Sequence, residues 1–356
     1  GRITHPPDRL SFRIGLTGII FYLYAMKRSR LFIIFLLIAS CAQAQPQDSK
    51  QLQETANQFL RQQDYANAVL VLNRALQQDP NNTSISKDLA LGYFLQRNYS
   101  QALETIKPLL DRDDADDQCY QIAGSIYKEL NMAKDGEKMY RKGIKKFPDS
   151  GPLYNELGEL LRDLRDADAI SQWEKGITAD PAYPKNYFNA AKYYHANNNI
   201  SWALIYAEIF INMEPFGNKT AEIKDMLLED YKKLFENAEI GQKQMPKSSF
   251  IKSFLATMNK QTAVANQGIN TETLTMIRTR FILDWDHASL PYKLFQYQQQ
   301  LLREGLFDAY NQWIFGSSQN LSAFQNWTVA HSDEYSRFTS FQKGRVFKMP
   351  KTPVYH

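Results

Sequence analysis

Residues 117–149 read DQCYQIAGSIYKELNMAKDGEKMYRKGIKKFPD. Ala123, Gly124 and Tyr127 fall in a first helix, and Gly136 and Tyr140 fall in a second. Pro148 closes the pair, because proline cannot continue a helix and disfavours the α conformation in the residue before it. The same layout recurs on both sides. Pro80, Pro148, Pro181 and Pro215 are 68, 33 and 34 residues apart, and the slot skipped in the first gap falls at Asp114 in a polar loop. A small residue stands before each slot, at Ala68, Ala102, Gly136, Ala169 and Ala203. Two antiparallel helices need such a residue where their backbones come close. Large residues follow at Leu72, Ile106, Tyr140 and Trp173, with Ala207 as the exception. Further small residues stand at Ala75, Gly143 and Gly176, and aromatic residues of the first helices at Phe59, Tyr93, Tyr127 and Tyr194. All these positions are expected in the core.

A period of about 34 residues indicates a helical-hairpin array. The pattern resembles the tetratricopeptide repeat family over five copies, 49–82, 83–116, 117–149, 150–183 and 184–217. The resemblance implies an all-α fold: a right-handed solenoid of helical hairpins, followed here by a helical C-terminal domain. It also implies a concave face lined by the first helix of each pair. The matching positions are Gln53, Asn57, Gln121, Ser125, Lys128, Asn155, Glu159, Arg162, Lys192 and His195. This polar, amide-rich surface suits an extended peptide or a partner's helix. The clamp with which some family members hold a C-terminal carboxylate is not expected, since its positions carry Gln53, Asn57, Gln118 and Ile122.

Composition narrows the function. The chain has 356 residues, 44% hydrophobic and 22% charged, within the globular range. Its net charge is +4, but residues 1–44 hold six Lys/Arg against one acidic residue. The rest, with 36 basic and 37 acidic residues, carries −1. A nucleic-acid partner is disfavoured. Two cysteines make no disulfide framework, and Cys119 is expected as a small buried hydrophobe.

Residues 26–44 read as an export signal. Lys27, Arg28 and Arg30 precede the apolar run Leu31–Ile38, which is too short to span a bilayer core of roughly 30 Å. Two cleavage sites compete: Ala42-Gln43-Ala44, and Ile38-Ala39-Ser40-Cys41, which resembles a bacterial lipobox with Cys41 as the lipidated residue. Residues 1–25 read as upstream or mis-assigned sequence. The expected location is the periplasm or outer membrane of a bacterium.

Beyond the repeats, residues 218–240 are expected to cap the array, with Ile223, Met226, Leu227, Tyr231, Leu234 and Phe235 inward and a polar outer face. A loop over 241–249 precedes a helical domain over 248–356. Its helices are expected at 250–260, 271–284, 290–304, 306–315, 320–330 and 332–343, with Thr271 and Ser332 as N-caps. Residues 270–347 contain fifteen aromatic side chains, expected mainly in the core.

Candidate chemistry is sparse. Asp284, Asp286 and His287 could do acid–base work, but the two carboxylates are two apart and would not share a helix face. The acidic run Asp111–Asp117 lacks the glycine and terminal glutamate of a calcium loop. No nucleophile elbow, phosphate loop or metal-binding motif is present. The expected function is a non-enzymatic scaffold of the cell envelope, without cofactor or metal, binding a protein or peptide in the repeat groove. A periplasmic enzyme with its site in the C-terminal domain and a carbohydrate-capture lipoprotein are the alternatives.

Overall fold

The computed structural model describes residues 48–236 and 248–355, and the regular structure among them is helical. The export signal, Cys41 and residues 1–25 lie outside the described residues, as do 237–240 at the end of the expected cap and 241–247 of the loop. The chain divides into two compact units, Gly1–Ile85 and Ser86–His356.

The first unit holds α1 (Ser49–Arg61), α2 (Tyr65–Gln78) and the first residues of α3 (Thr83–Leu95). The Asp48 and Asp64 carboxylates accept hydrogen bonds from the Gln51 and Asn67 amides at 2.8 and 3.2 Å, satisfying orphan donors of the first turns. Ala68, Leu72 and Ala75 form the buried stripe of α2.

The second unit continues with α4 (Tyr99–Ile106), α5 (Asp117–Glu129), α6 (Ala133–Lys146), α7 (Gly151–Asp163), α8 (Ala169–Ala179), α9 (Pro184–Ala196), α10 (Ile200–Met213) and α11 (Thr220–Glu236). Pairs α5/α6, α7/α8 and α9/α10 are hairpins, and α5, α7 and α9 pack in succession. Small residues set the spacing within a pair. A Cβ on Gly158 would lie 2.4 Å from the Trp173 indole nitrogen, and one on Gly124 would lie 2.2 Å from the Tyr140 ring. The backbone repeats as well. Gln63, Arg97, Asn131, Arg165 and Asn198 all adopt φ between 55 and 62°, at spacings of 34, 34, 34 and 33. Each ends a first helix in the left-handed conformation, which returns the last carbonyls to hydrogen bonds.

Two copies depart from the pattern for visible reasons. In the second, Pro108 lacks an amide hydrogen and crowds the preceding turn, so α4 stops at Ile106 and a 3₁₀ turn runs over Lys107–Leu109. In the fourth, an extra turn closed by the Asp166 carboxylate on the Asp168 amide (2.9 Å) delays the second helix to Ala169. The aromatic positions of the first helices are also less buried than expected. Tyr127 is buried, but Phe59, Tyr93 and Tyr194 are half-buried, and the Tyr194 hydroxyl donates to Glu174.

The C-terminal helices are α12 (Ser249–Asn259), α13 (Thr262–Ala265), α14 (Thr271–Asp284), α15 (Lys293–Arg303), α16 (Phe307–Asn311), α17 (Ser317–Gln319), α18 (Leu321–Ala330) and α19 (Ser332–Gly344). A π-helical turn, Gln312–Gly316, joins α16 to α17. The α14 N-cap is Asn270 rather than Thr271. Its side chain accepts from the Thr273 amide (2.9 Å), and the Thr273 hydroxyl accepts from the Asn270 amide (3.0 Å). Ser332 is the first helical residue of α19, and His331 before it supplies no side-chain cap.

These helices have no core of their own. Buried apolar residues from Ala90 to Met349 form one contiguous cluster. Its centre is α10, buried at every position from Ile200 to Asn212, as expected for a helix that is apolar all round. Trp202 stacks on Tyr206 and Phe250, and Phe250 stacks on Tyr355 at the end of the C-terminal tail, ring centroids 4.4 Å apart. The helix expected as a polar-backed cap is corrected too. α11 buries Ile223, Met226, Leu227, Tyr231 and Leu234 as foreseen, but its other side buries Lys224 and Leu228, with Lys224 against Trp313.

One polar cluster crosses this core. Oε1 of Glu208 on α10 accepts from the Arg278 guanidinium, from Gln298 Nε2 (2.5 Å) and from the Tyr310 hydroxyl (2.7 Å). Arg278 also donates to Asn311 Oδ1 at 2.5 Å, and Asn212 donates to the Tyr310 hydroxyl at 2.7 Å. Arg278 is 1% exposed and Glu208 3%. The guanidinium lies 5.2–5.9 Å from the ring centroids of Tyr231, Phe307, Tyr310 and Phe315.

Two stability changes follow. Arg165→Gly relieves the left-handed backbone at an exposed turn and should raise the unfolding free energy measured in urea by up to about 1 kcal/mol; no change or a loss would mean that the Arg165 side chain matters more than its φ. Arg278→Met strands the Glu208 charge and should cost about 3–5 kcal/mol, while Glu208→Leu with Arg278→Met should recover much of it. A double variant as unstable as the single would show that packing, not the stranded charge, dominates.

Candidate functional site

The residues expected to line the groove all fall on first helices, but most are engaged within the fold. In the first unit, Gln53 and Asn57 are half-buried, and Gln53 Nε2 donates to Ser84 Oγ at 2.8 Å. In the second, the Gln121 amide donates to Asp117 one turn back at 3.4 Å, and Ser125 Oγ lies 3.2 Å from the Tyr140 hydroxyl. Lys128 reaches Asp163 at 3.0 Å, and Arg162 binds the same carboxylate at 3.0 Å. Asn189 Nδ2 bridges Asn155 Oδ1 (2.8 Å) and Glu159 Oε1 (3.1 Å). Lys192 donates to Glu222 at 2.5 Å, and His195 Nδ1 lies 2.7 Å from Asp230 Oδ1.

The geometry explains the pattern. Lys128–Asp163, Asn155–Asn189, Lys192–Glu222 and His195–Asp230 are separated by 35, 34, 30 and 35 residues, about one repeat. Each first helix therefore presents its polar side chains to the next. Asn155 is fully buried and its backbone carbonyl also accepts from the Trp173 indole at 3.4 Å, so it is a packing residue with no free surface. Electrostatics match these contacts. Burial pushes the Glu156 carboxyl up, helped by Glu159. At Asp163 burial acts upward, but hydrogen bonds from Lys128 and Arg162 outweigh it and hold the carboxyl below its usual range. The hydrogen bond from Lys192 likewise holds Glu222 down. Asp230 is raised by burial against the opposing pull of His195.

At the C-terminal end of this face the ladder opens into a pocket of about 360 Å³. Phe188 and Phe210 form its apolar floor, ring centroids 5.1 Å apart. Glu159, Lys185, Asn189 and Lys219 stand around it. Of these, only Glu159 was expected from the sequence. Phe188 occupies in the fifth copy the fifth position of the first helix, as Gln53, Gln121 and Asn155 do in theirs, so its signal was available. Lys185 is exposed and makes no ion pair among the described residues.

The acid–base candidates do not converge. Asp284 ends α14 and meets Lys260 at 4.0 Å; Asp286 accepts from the Ala288 and Ser289 amides at 3.2 and 3.0 Å as a turn cap; His287 Nε2 faces the Ile282 carbonyl at 3.0 Å. The acidic run is similarly dispersed: Asp111 pairs with Lys142, Arg112 with Asp114, and Asp116 caps α5 while binding Lys87. Among the described residues no group of three or more His, Cys, Asp or Glu could hold a metal ion, and no helix is long and apolar enough to cross a membrane. Cys119 is buried, and burial raises its thiol to about 11.

Comparison with known proteins finds similarity over part of the chain. Residues 59–126 match a family model described as tetratricopeptide repeat. That stretch carries tetratricopeptide repeats. The matched stretch runs from the first copy into the third, and the helix pairs and left-handed turns continue the tetratricopeptide pattern to Met213. Solved structures with a similar fold include TTC0263, a thermophilic TPR protein of Thermus thermophilus, at 17% identity over 51% of this chain and 99% of that one, TM-score 0.44. Pseudomonas aeruginosa pilF is similar at 17% identity over 53% and 85%, TM-score 0.45. MamA 41-end from Desulfovibrio magneticus RS-1 is similar at 14% over 42% and 85%, TM-score 0.35. None of the curated proteins matches the chain.

One titratable group behind the array is strongly displaced. Lys224 is 9% exposed, and its ammonium stands 3.7 Å from the Trp313 ring centroid. Burial pushes its pKa down to about 7, with only the neighbouring Asp225 pulling upward. The unfolded chain then holds one more proton than the folded one from about pH 7 to the ordinary lysine value near 10.4, so stability rises with pH in that window. Lys224→Met should stabilise most below pH 7, and its advantage over the parent should shrink by up to ~1.4 kcal/mol per pH unit toward pH 10. Chemical denaturation of both proteins at pH 6, 7.5 and 9 tests this; a constant difference would show that Lys224 titrates normally.

Proposed function

We propose that this chain is a non-enzymatic adaptor of the bacterial cell envelope that holds a partner protein along the concave face of its repeats. The partner presents an extended segment or a helix, and one apolar side chain of it enters the pocket over Phe188 and Phe210. That pocket carries the reading. The rest of the face has turned its charges to neighbouring repeats, and exposed ion pairs contribute little to affinity. A concave apolar floor with a polar rim is where a single anchor residue can dominate binding. Lys185 at the rim offers a cation to a carboxylate next to the anchor. The export signal and the lipobox at Cys41 support an envelope location with the chain tethered by a lipid. The dispersal of Asp284, Asp286 and His287 supports a role without catalysis.

Lys128, Arg162 and Lys192 are poor probes, because reversing them breaks inter-repeat contacts. Phe188→Ser and Lys185→Glu are better placed. With the full chain as bait and a photocrosslinking residue at 188 or, as a control, at Lys175 on α8, the partner should crosslink at 188 and not at 175. Each substitution should weaken capture about tenfold, equivalent to ~1.4 kcal/mol, with helicity unchanged. Crosslinking at 175 alone, or capture indifferent to both substitutions, would remove this face from the function.

A further inference from the structure

A second concavity lies on the opposite part of the sequence, independent of the repeat face. Helix α18 (LSAFQNWTVA) has ten residues, none buried and none charged. It is nevertheless ordered against the body of the fold. Asn320 caps it by accepting from the Ala323 amide at 3.0 Å, and Phe324 and Trp327, three apart and so on one face, are half-buried. Under that face lies a cleft of about 310 Å³.

The lining of this cleft is chemically specific. Phe324 and Trp327 supply two aromatic rings; Gln312, Gln319 and Asn320 supply side-chain amides; Glu272 supplies a carboxylate. Lysine and arginine do not line it. The Gln319 carbonyl is held in place, accepting from the Thr271 amide (2.5 Å) and hydroxyl (2.6 Å), which leaves its amino group as a fixed donor. The Gln312 and Glu272 side chains make no hydrogen bond or ion pair within the described residues, and the Asn320 side-chain amino group makes none either. His331 stacks on one face of the Trp327 indole, 4.5 Å between centroids, and the Tyr335 ring meets its edge, so the ring orientation is set from outside the cleft. Two backbone features bring these groups together. Gln312 opens the π-helical turn Gln312–Gly316, a local geometry that is rare and frequent at functional sites. Gly316 ends it, and a Cβ there would lie 2.6 Å from the Phe324 ring, so only glycine lets that ring approach the turn.

We propose that this cleft binds a neutral carbohydrate of one or two sugar rings. A pyranose has an apolar C–H face that lies on an aromatic ring and an edge of hydroxyls that both donate and accept. Side-chain amides and a carboxylate answer such an edge, because together they provide both donors and acceptors at fixed positions. The absence of a lining cation disfavours phosphate and other anions. Its lining mixes polar and apolar groups, unlike the mainly apolar pocket over Phe188, which disfavours a peptide anchored by an apolar side chain. The volume fits a small ligand.

The test uses the full chain with maltose, cellobiose, lactose and N,N′-diacetylchitobiose as probes, each followed by saturation-transfer NMR and calorimetry up to about 20 mM, which reaches the millimolar range of weak single-site binding. At least one disaccharide should bind, with transfer strongest to ring C–H protons. Trp327→Ala and Gln312→Ala should each weaken it about tenfold, equivalent to ~1.4 kcal/mol, with the thermal midpoint within about 2–3 degrees of the parent, while Phe188→Ser should leave it unchanged. Gln312→Ala keeps both rings and guards against a folding failure in the Trp327 variant. Silence from all four sugars, or binding that survives both substitutions, would overturn the assignment. Competition by a peptide but by no sugar at this cleft would replace it with a protein contact.

Discussion

Everything beyond the fourth hairpin depends on one buried carboxylate oxygen. Oε1 of Glu208 accepts from Arg278, Gln298 and Tyr310, which sit on three different elements of the C-terminal region. A buried charge costs several kcal/mol unless it is paired and fully hydrogen-bonded. The three donors must therefore arrive together, and apolar packing alone, which tolerates alternative arrangements, would not require that. Glu208 also connects the two faces of α10. Phe210 lies two residues on, about 200° around the helix, and lines the pocket over Phe188. The cluster thus fixes from behind the helix whose front lines that pocket. This is a positional argument for why a paired charge is kept inside the core.

The repeat face follows a different logic. Its polar side chains are spent on register. Pairs roughly one repeat apart tie α5 to α7, α7 to α9 and α9 to α11, and the ladder is continuous because each first helix repeats its polar positions. A surface charge read from a sequence as a partner contact is, in such an array, already shared with the adjacent repeat. What remains for a partner is the place where the ladder ends. Beyond α10 the described residues continue with α11. α11 packs on α10, and Phe188 and Phe210 line an open pocket beside it.

This also explains what was legible beforehand. The helix pairs could be read because their constraints are local and recur: a small residue at the crossing, a left-handed turn, a proline stop. Pro108 breaks the second copy earlier than the period implies, and it shortens α4. The C-terminal helices are close to their expected spans, since 271–284 is the observed α14 and 320–330 contains α18. Their packing could not be read, because contacts such as Glu208–Gln298 are 90 residues apart and occur once. One signal did exist. ISWALIYAEIFINM is apolar on every side, which already required cover on two faces rather than one. The register rule places Asn155 on the exposed face with Glu159, Lys192 and His195, but Asn155 is buried. Only the Asn189 amide, 34 residues later, shows it to be interior.

The aromatic residues of the C-terminal region divide along the same line. Trp285, Tyr292, Phe295 and Tyr310 are buried and are explained by the core alone. Phe324 and Trp327 are not. They sit on a helix that contributes no buried residue, beside Leu321 at 58% and Val329 at 79% exposure. Such a helix adds little to global stability and belongs to the readily opened part of a fold. Leaving two aromatic rings half in water on it forgoes the burial that makes such side chains useful in a core. Trp327 still packs against the core cluster, but both rings also line the cleft, which is consistent with a use at the surface. The amides gathered opposite them across the cleft, held by a π-helical turn that forgoes ordinary helix geometry, indicate what kind of use it is.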